Sequence, residues 1–314
     1  MRIGVVFPGQ GSQVVGMGVQ VAEKFPAARE CYRIAKHVVG YDLFEICANG
    51  PETTLRETRY AQPAIFVTNM ALAAAVGEVL EPVVSAGHSF GEYCSLQLGG
   101  ALSFEAALAL VNERALAMHH AAGESAGGMS AVLGLEPDTL RRVVAETADA
   151  GAGRVALANF NAPGQIVISG DLAAVRAAGE AALAAGAKRI VPLNVAGAWH
   201  SSLMAPAQSA FERFVRDAAI VMPRFTVISN VDAKPYTDVM MIRDHLERSV
   251  THEVRWHETA LAMIDIGLDL IVEFGASPVI APLMKRVAGA PSAVTVKDVA
   301  GVEKLRSMLV PARA

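Results

Sequence analysis

Polar and apolar positions along this 314-residue chain follow two alternating rhythms. Short apolar runs that read as strands recur between longer stretches with apolar residues three and four apart, which read as helices. Ile3 to Phe7 is the first run, closed by Pro8. Gln62 to Val79 carries a helical pattern, with Pro63 in its first turn, where a missing N–H costs nothing. Val83 to Gly87 is a second strand, and Glu92 to Leu98 is a helix-like segment directly after it. Ser103 stands as an N-cap for a helix reaching about Ala121, and Glu105 in its first turn suits the helix dipole. This alternation predicts an α/β fold with a largely parallel sheet.

Between about Gly127 and Val195 the rhythm changes. Met129 to Leu135, Val155 to Phe160, Gln165 to Ser169 and Lys188 to Val195 read as strands. Pro137 to Ala150 and the alanine-rich Asp171 to Ala185, closed by Gly186, read as helices. Asn161-Ala162-Pro163-Gly164 is a turn. The order β-α-β-β-α-β is that of a ferredoxin-like module. We therefore expect a small subdomain, 127–195, inserted into a large α/β domain made of 1–126 and 196–314. Beyond the insert, Ser201 to Ala218 is helical with Pro206 awkwardly inside it. Phe225 to Asn230 is a strand, and Met240 to Val250 and Trp256 to Ile266 are helical. Leu270 to Phe274 is a short strand, and a turn at Gly275-Ala276-Ser277-Pro278 leads into a final helical stretch.

The richest chemical signal is Gly87-His88-Ser89-Phe90-Gly91. It spells G-x-S-x-G between a strand and a helix, the context a nucleophile elbow requires. The turn there is so tight that the flanking residues must be small, which the two glycines satisfy. Ser89 is then the candidate nucleophile, and the backbone N–H of Phe90 a donor for an oxyanion. Eight histidines could serve as its base: His37, His88, His119, His120, His200, His245, His252 and His257. The residues alone do not choose among them. His88 is disfavoured by strand alternation, which points neighbouring side chains to opposite faces.

Composition narrows the class of partner. Hydrophobic residues make up 53% and mean hydropathy is +0.35, but no apolar run reaches the ~18–20 residues of a spanning helix. The net charge of −4, without a basic block, argues against nucleic acid. Cys31, Cys47 and Cys94 lack the spacing of a metal site or disulfide framework, so no metal is expected and the thiols are read as reduced. Without a signal-peptide pattern at Met1 to Pro8, the expectation is a cytoplasmic, monomeric protein that engages no membrane.

Four ordered motifs converge on one family. They are Phe7-Pro8-Gly9-Gln10-Gly11-Ser12-Gln13, Gly87 to Tyr93, Asn159-Phe160-Asn161-Ala162-Pro163-Gly164-Gln165, and Gly197-Ala198-Trp199-His200-Ser201. From Ile3 to about Arg286 the chain resembles malonyl-CoA:acyl-carrier-protein transacylases, both the fatty-acid enzymes and the free-standing acyltransferases of polyketide assembly. The resemblance implies a hydrolase-like α/β domain carrying a ferredoxin-like insert. It implies a malonyl group moved from coenzyme A to an acyl carrier protein through acyl-Ser89, with no cofactor beyond the coenzyme A thioester itself.

By that resemblance His200 is the base and Gln10 supplies the second oxyanion amide. The loop around Gln10 lacks the lysine of a phosphate-binding P-loop. Arg114 lies at the border of the stripe Phe104, Ala107, Leu108, Val111, Ala115 and Met118, and the resemblance gives it the malonyl carboxylate. A planar guanidinium suits that group. A backbone carbonyl is expected to orient His200. The family places it on a glutamine seven positions before a tryptophan, here Ser249 ahead of Trp256. The family's proline is also replaced, by Glu253. Asn159 and Asn161 alternate with Phe160, so both can face the site or cap the turn. Trp199 stands where many relatives carry phenylalanine or serine, and its bulk favours malonyl over methylmalonyl. An acyl hydrolase of the same fold, clearing acyl groups from carrier proteins, is the alternative reading. A catalytically silent carrier-docking subunit is a third, and the intact Ser89 and His200 argue against it.

Overall fold

β1 (Ile3–Phe7) is buried at all five positions because it runs through the middle of a five-stranded parallel sheet. The computed structural model describes residues 1–310; the last four residues of the expected large domain, 311–314, lie outside them. β2 (Pro82–Gly87) and β8 (Leu270–Phe274) flank β1, with β7 (Thr226–Ile228) outside β2 and β9 (Ser292–Val296) outside β8. Every pairing in this sheet is parallel. Helices cover both faces, which is why β1 reads as an apolar run and β8 as one interrupted only by Glu273.

The helix Thr58–Val76 is buried almost all round, so it carries no amphipathic stripe to mark its start. It begins four residues earlier than the sequence suggests, and Pro63 therefore lies inside it. The proline frees the carbonyl of Arg59, four residues back, and the Tyr41 hydroxyl donates to that oxygen at 3.4 Å. Pro206 corrects in the opposite sense. A 3₁₀ turn, Ser202–Met204, precedes the helix Ala205–Asp217, so Pro206 falls in its first turn. The expected final helical stretch is instead a five-residue helix Ile280–Met284, then β9, then the helix Val299–Leu309 capped by Asp298. β9 is a half-buried edge strand, with too few large apolar residues to announce itself. Residues 19–56, which the pattern leaves unassigned, form four short helices packed around Thr58–Val76.

The small sheet comprises β3 (Gly127–Leu133), β4 (Val155–Ala162), β5 (Gln165–Asp171) and β6 (Arg189–Pro192) in the order β4-β5-β3-β6. All its pairings are antiparallel, and the helices Pro137–Asp149 and Leu172–Ala184 pack on one face. This is the ferredoxin-like arrangement. It has its own core, which includes Val132, Leu140, Val144, Leu157, Ile168 and Val175. β6 stops at Pro192, short of the expected Val195, because its edge position leaves it partly exposed. The chain beyond the insert meets the small sheet at Val254, which pairs with β4. Its N–H donates to the Ala158 carbonyl at 2.8 Å, and its carbonyl accepts from Phe160 N–H at 2.9 Å. No helix among the described residues is long and apolar enough to cross a membrane.

Candidate active site

The turn between β2 and the helix Gly91–Leu98 is as tight as the motif demands. A Cβ on Gly87 would sit 1.9 Å from the Gly91 carbonyl carbon, and one on Gly91 would sit 2.5 Å from the Phe7 oxygen. Strand and helix cross so closely that only glycine fits at either place. Between them Ser89 adopts φ 54°, a left-handed conformation that non-glycine residues seldom take. Its amide donates to Asn230 Oδ1 at 3.0 Å.

His200, also left-handed at φ 57°, reaches this turn from beyond the insert. Its Nε2 lies 2.9 Å from Ser89 Oγ, and its Nδ1 lies 3.0 Å from the carbonyl of His252. The orienting carbonyl is therefore that of His252, a correction to the expected Ser249. Ser249 ends the helix Val239–Arg248, and its Oγ turns back to donate to the Leu246 carbonyl at 2.8 Å. The chain then runs beside β4, which brings the next stretch to the ring. The Ser249 carbonyl is a second, weaker influence on the imidazole. Burial above all, then the charges of Arg114 and His88, push the His200 pKa down to about 3 against the two carbonyls. The ring is neutral at pH 7. Donation from Nδ1 to His252 leaves Nε2 free to accept the Ser89 proton.

Arg114 is buried, not at the border of its helix Phe104–Gly123, because neighbouring elements cover that face as well. Its Nη1 donates to Gln62 Oε1 at 2.6 Å and its Nη2 to Ser89 Oγ at 3.3 Å, while Nε has no acceptor. Glu92 and Tyr93 act on it only through space, and burial pulls its pKa below the ordinary value. Among the described residues no carboxylate pairs with it. A charge so placed costs several kcal/mol, roughly, unless an anion arrives.

The same chain of bonds continues to the first loop. Gln62 Nε2 donates to Thr58 Oγ1 at 2.9 Å, and Thr58 Oγ1 donates to Gln10 Oε1 at 3.0 Å. A Cβ on Gly9 would lie 2.7 Å from the His88 carbonyl, so this loop presses against the elbow. Gln10 and Phe90 line the same recess, and their backbone amides donate to no protein acceptor among the described residues.

The recess has a volume of about 90 Å³. The large part supplies Ser89, His200, Arg114, Gln10, Gln62 and Met118, and the insert closes it with Met129, Asn159 and Leu193. Trp199 is buried in its wall, with an indole N–H that has no acceptor. A larger depression of about 660 Å³, lined by Ile34, Met70 and Phe225, lies elsewhere and holds neither Ser89 nor His200. No cluster of three metal-ligating side chains occurs among the described residues.

His88 departs from the expectation that histidines other than His200 serve solvent or packing. It lines the recess half-buried, with Nε2 2.8 Å from Asn161 Oδ1. Strand alternation does not govern it, because β2 ends at Gly87. Asn159 and Asn161 do both turn toward the site, on a β4 made irregular by two register shifts. Sequence reasoning missed Gln62, Asn230 and His252. Each is joined to its partner across dozens of residues, and no local pattern marks such a pair.

A parallel sheet that carries Ser89 on a glycine-bracketed turn, with His200 brought to it from beyond an inserted antiparallel sheet, has the build of an acyltransferase. The acyl transferase domain family matches residues 5–306. The malonyl CoA-acyl carrier protein transacylase of Haemophilus influenzae is 36% identical over 98% of this chain and 99% of its own. An acyl carrier protein S-malonyltransferase structure from Vibrio cholerae superposes with a TM-score of 0.92 at 36% identity, over 97% of this chain and all of that one. A malonyl-transacylase solved in complex with a type II polyketide acyl-carrier protein gives 0.94 at 36% identity, over 98% and 100%. The chain belongs to the acyl transferase family, in its malonyl-CoA:acyl-carrier-protein transacylase branch.

Proposed function

We propose that the protein transfers a malonyl group from coenzyme A to the phosphopantetheine thiol of an acyl carrier protein, through an acyl-serine at Ser89. The observation that carries this reading is Arg114. It is a buried guanidinium with no ion pair among the described residues, and it donates to the very oxygen that would attack. Malonyl places a carboxylate one methylene from the reacting carbonyl, so an acyl group on Ser89 puts its negative charge beside Arg114.

In the first half-reaction Ser89 Oγ attacks the thioester carbon while His200 Nε2 takes its proton. The Phe90 and Gln10 amides receive the oxyanion, a contribution of about 10²–10³ in rate per donor. The C–S bond then breaks, and coenzyme A leaves with the proton from His200. In the second half the carrier thiol gives its proton to His200 and attacks the acyl carbon of malonyl-Ser89, and the same amides serve again. The bond from that carbon to Ser89 Oγ breaks, and His200 Nε2 returns the proton to Ser89 Oγ. The cleft lies between the part formed by 1–126 with 196–314 and the insert 127–195. Neither metal nor further cofactor enters these steps. We read the enzyme as a cytoplasmic monomer acting without nucleic acid or membrane.

Trp199 narrows the wall where an α-substituent would lie, which favours malonyl over methylmalonyl by the ~1–3 kcal/mol a methyl group commands. Lys188, Arg189, Lys285 and Arg286 are exposed, as docking of an acidic carrier would need. Arg286 also ties to the insert, donating to the Pro163 carbonyl at 2.8 Å. A hydrolase for uncharged acyl chains gains nothing from a buried, unpaired arginine. The test is to incubate the protein with labelled malonyl-CoA, trap the adduct and map it. Label on a residue other than Ser89 defeats the reading, and an adduct that decays equally fast with and without carrier protein replaces transfer by hydrolysis.

A further inference from the structure

Asn230 follows β7 by two residues and is buried, yet each of its polar groups is engaged. Its Oδ1 accepts from the Ser89 amide at 3.0 Å, and its Nδ2 donates to the Gly87 carbonyl at 2.6 Å. The one side chain thus grips the turn on both sides of His88. The same Nδ2 donates to Glu92 Oε2 at 2.7 Å, and the Asn230 amide donates to Glu92 Oε1 at 3.3 Å. The Tyr236 hydroxyl also donates to Glu92 Oε1. The Asn230 carbonyl accepts from Arg255 N–H at 3.0 Å.

We propose that Asn230, held by Glu92, is a positioning residue of the reaction: it locks the Ser89 turn and withdraws the Ser89 amide from the cleft. The inference rests on the reading of Ser89 as nucleophile. The Asn230 side chain has only one workable orientation, since nitrogen faces two acceptors and oxygen faces a donor. A left-handed serine is costly and persists only where its surroundings over-determine it. The two bonds, at 2.6 Å to residue 87 and 3.0 Å from residue 89, supply that constraint. With its amide spent on Asn230, Ser89 cannot donate to its own oxyanion, and that task falls to Phe90 and Gln10. Glu92 does not line the recess and touches no reacting atom. Its cost in burial is visible in a pKa raised to about 7, against which Tyr236 and Asn230 act. Retaining such a group is intelligible if it holds Asn230.

The experiment uses the full chain and its Asn230→Ala, Asn230→Asp and Glu92→Gln variants. Single-turnover acylation of Ser89 by malonyl-CoA is followed by intact mass, together with KM and Tm. Asn230→Asp keeps the acceptor for Ser89 and loses both donors. In Glu92→Gln either amide orientation sets an N–H against a donor of Asn230. Because a displacement near 1 Å costs about 10²-fold, both Asn230 variants should acylate roughly 10²-fold more slowly. KM should stay within about threefold, since Arg114 is untouched, and Glu92→Gln should lose roughly tenfold by the same loosening. A loss confined to Tm, or a folded variant acylating at the parent rate, overturns the proposal. Glu92→Gln alone decides it if neither Asn230 variant folds. A parent enzyme that acylates elsewhere than Ser89 refutes the functional reading instead.

Discussion

Ser89 and His200 stand 111 residues apart and share a backbone state, with φ of 54° and 57°, while their side chains meet at 2.9 Å. Neither is glycine, so each carries a strain on the order of 1–3 kcal/mol that its neighbours must offset. At Ser89 the offset comes from Asn230 and from the glycines on either side. At His200 it comes from Ser201, whose Oγ donates to the Ala198 carbonyl at 2.7 Å and caps the following 3₁₀ turn.

Gly91→Ala tests the steric account of the turn. The new methyl meets backbone of β1, which has no rotamer to yield. Acylation of Ser89 should fall at least about 10²-fold, the penalty of a displaced nucleophile. Tm should fall too, and parent-like values in both would show that the crossing is looser than described.

Arg114→Met should lower kcat/KM for malonyl-CoA by roughly 10²-fold or more, as loss of a buried charged hydrogen-bond partner does. Activity on acetyl-CoA, which lacks the carboxylate, should fall far less. Competition between the two thioesters in one vessel measures the ratio directly, and an unchanged ratio would assign Arg114 to structure alone.

The pH profile should separate free enzyme from complex. Burial and the Arg114 charge hold His200 near pKa 3 when the site is empty, so the acid limb of kcat/KM should lie below pH 5. A bound carboxylate offsets the Arg114 charge, which moves the acid limb of kcat upward. Arg114→Met should move the free-enzyme limb upward as well. Stopped-flow acylation from pH 4 to 9 distinguishes these shifts from a limb fixed at 6.5.

Glu92 makes a prediction about stability. Its folded pKa is raised to about 7 from 4.5, chiefly by burial, so the folded state holds the proton more tightly. Its favourable contribution is complete below pH 4.5 and is lost as pH rises through 7. The Tm of the parent minus that of Glu92→Gln should therefore decline between pH 5 and 8. A flat difference would place the carboxyl in a wetter setting.

What the linear chain determined by itself is local. The runs Ile3–Phe7 and Leu270–Phe274 needed no context to be strands, because burial on both faces writes a mostly apolar run, broken in the second only by Glu273. The insert was legible for a similar reason: its short strands and helices are each bounded by glycine, proline or a polar turn. Gly87 to Gly91 announced the turn because its steric need is met within five residues. Tertiary structure decided the rest, wherever the partner came from elsewhere in the chain. The His252 carbonyl reached the base ring only because Val254 pairs with β4. Arg114 became buried only because neighbouring elements close over its helix. Thr58–Val76 hid its start because a helix wrapped on every side has no polar face to mark it. Charge, burial and hydrogen bonding at this site are properties of surroundings, and those exist only once the chain has folded.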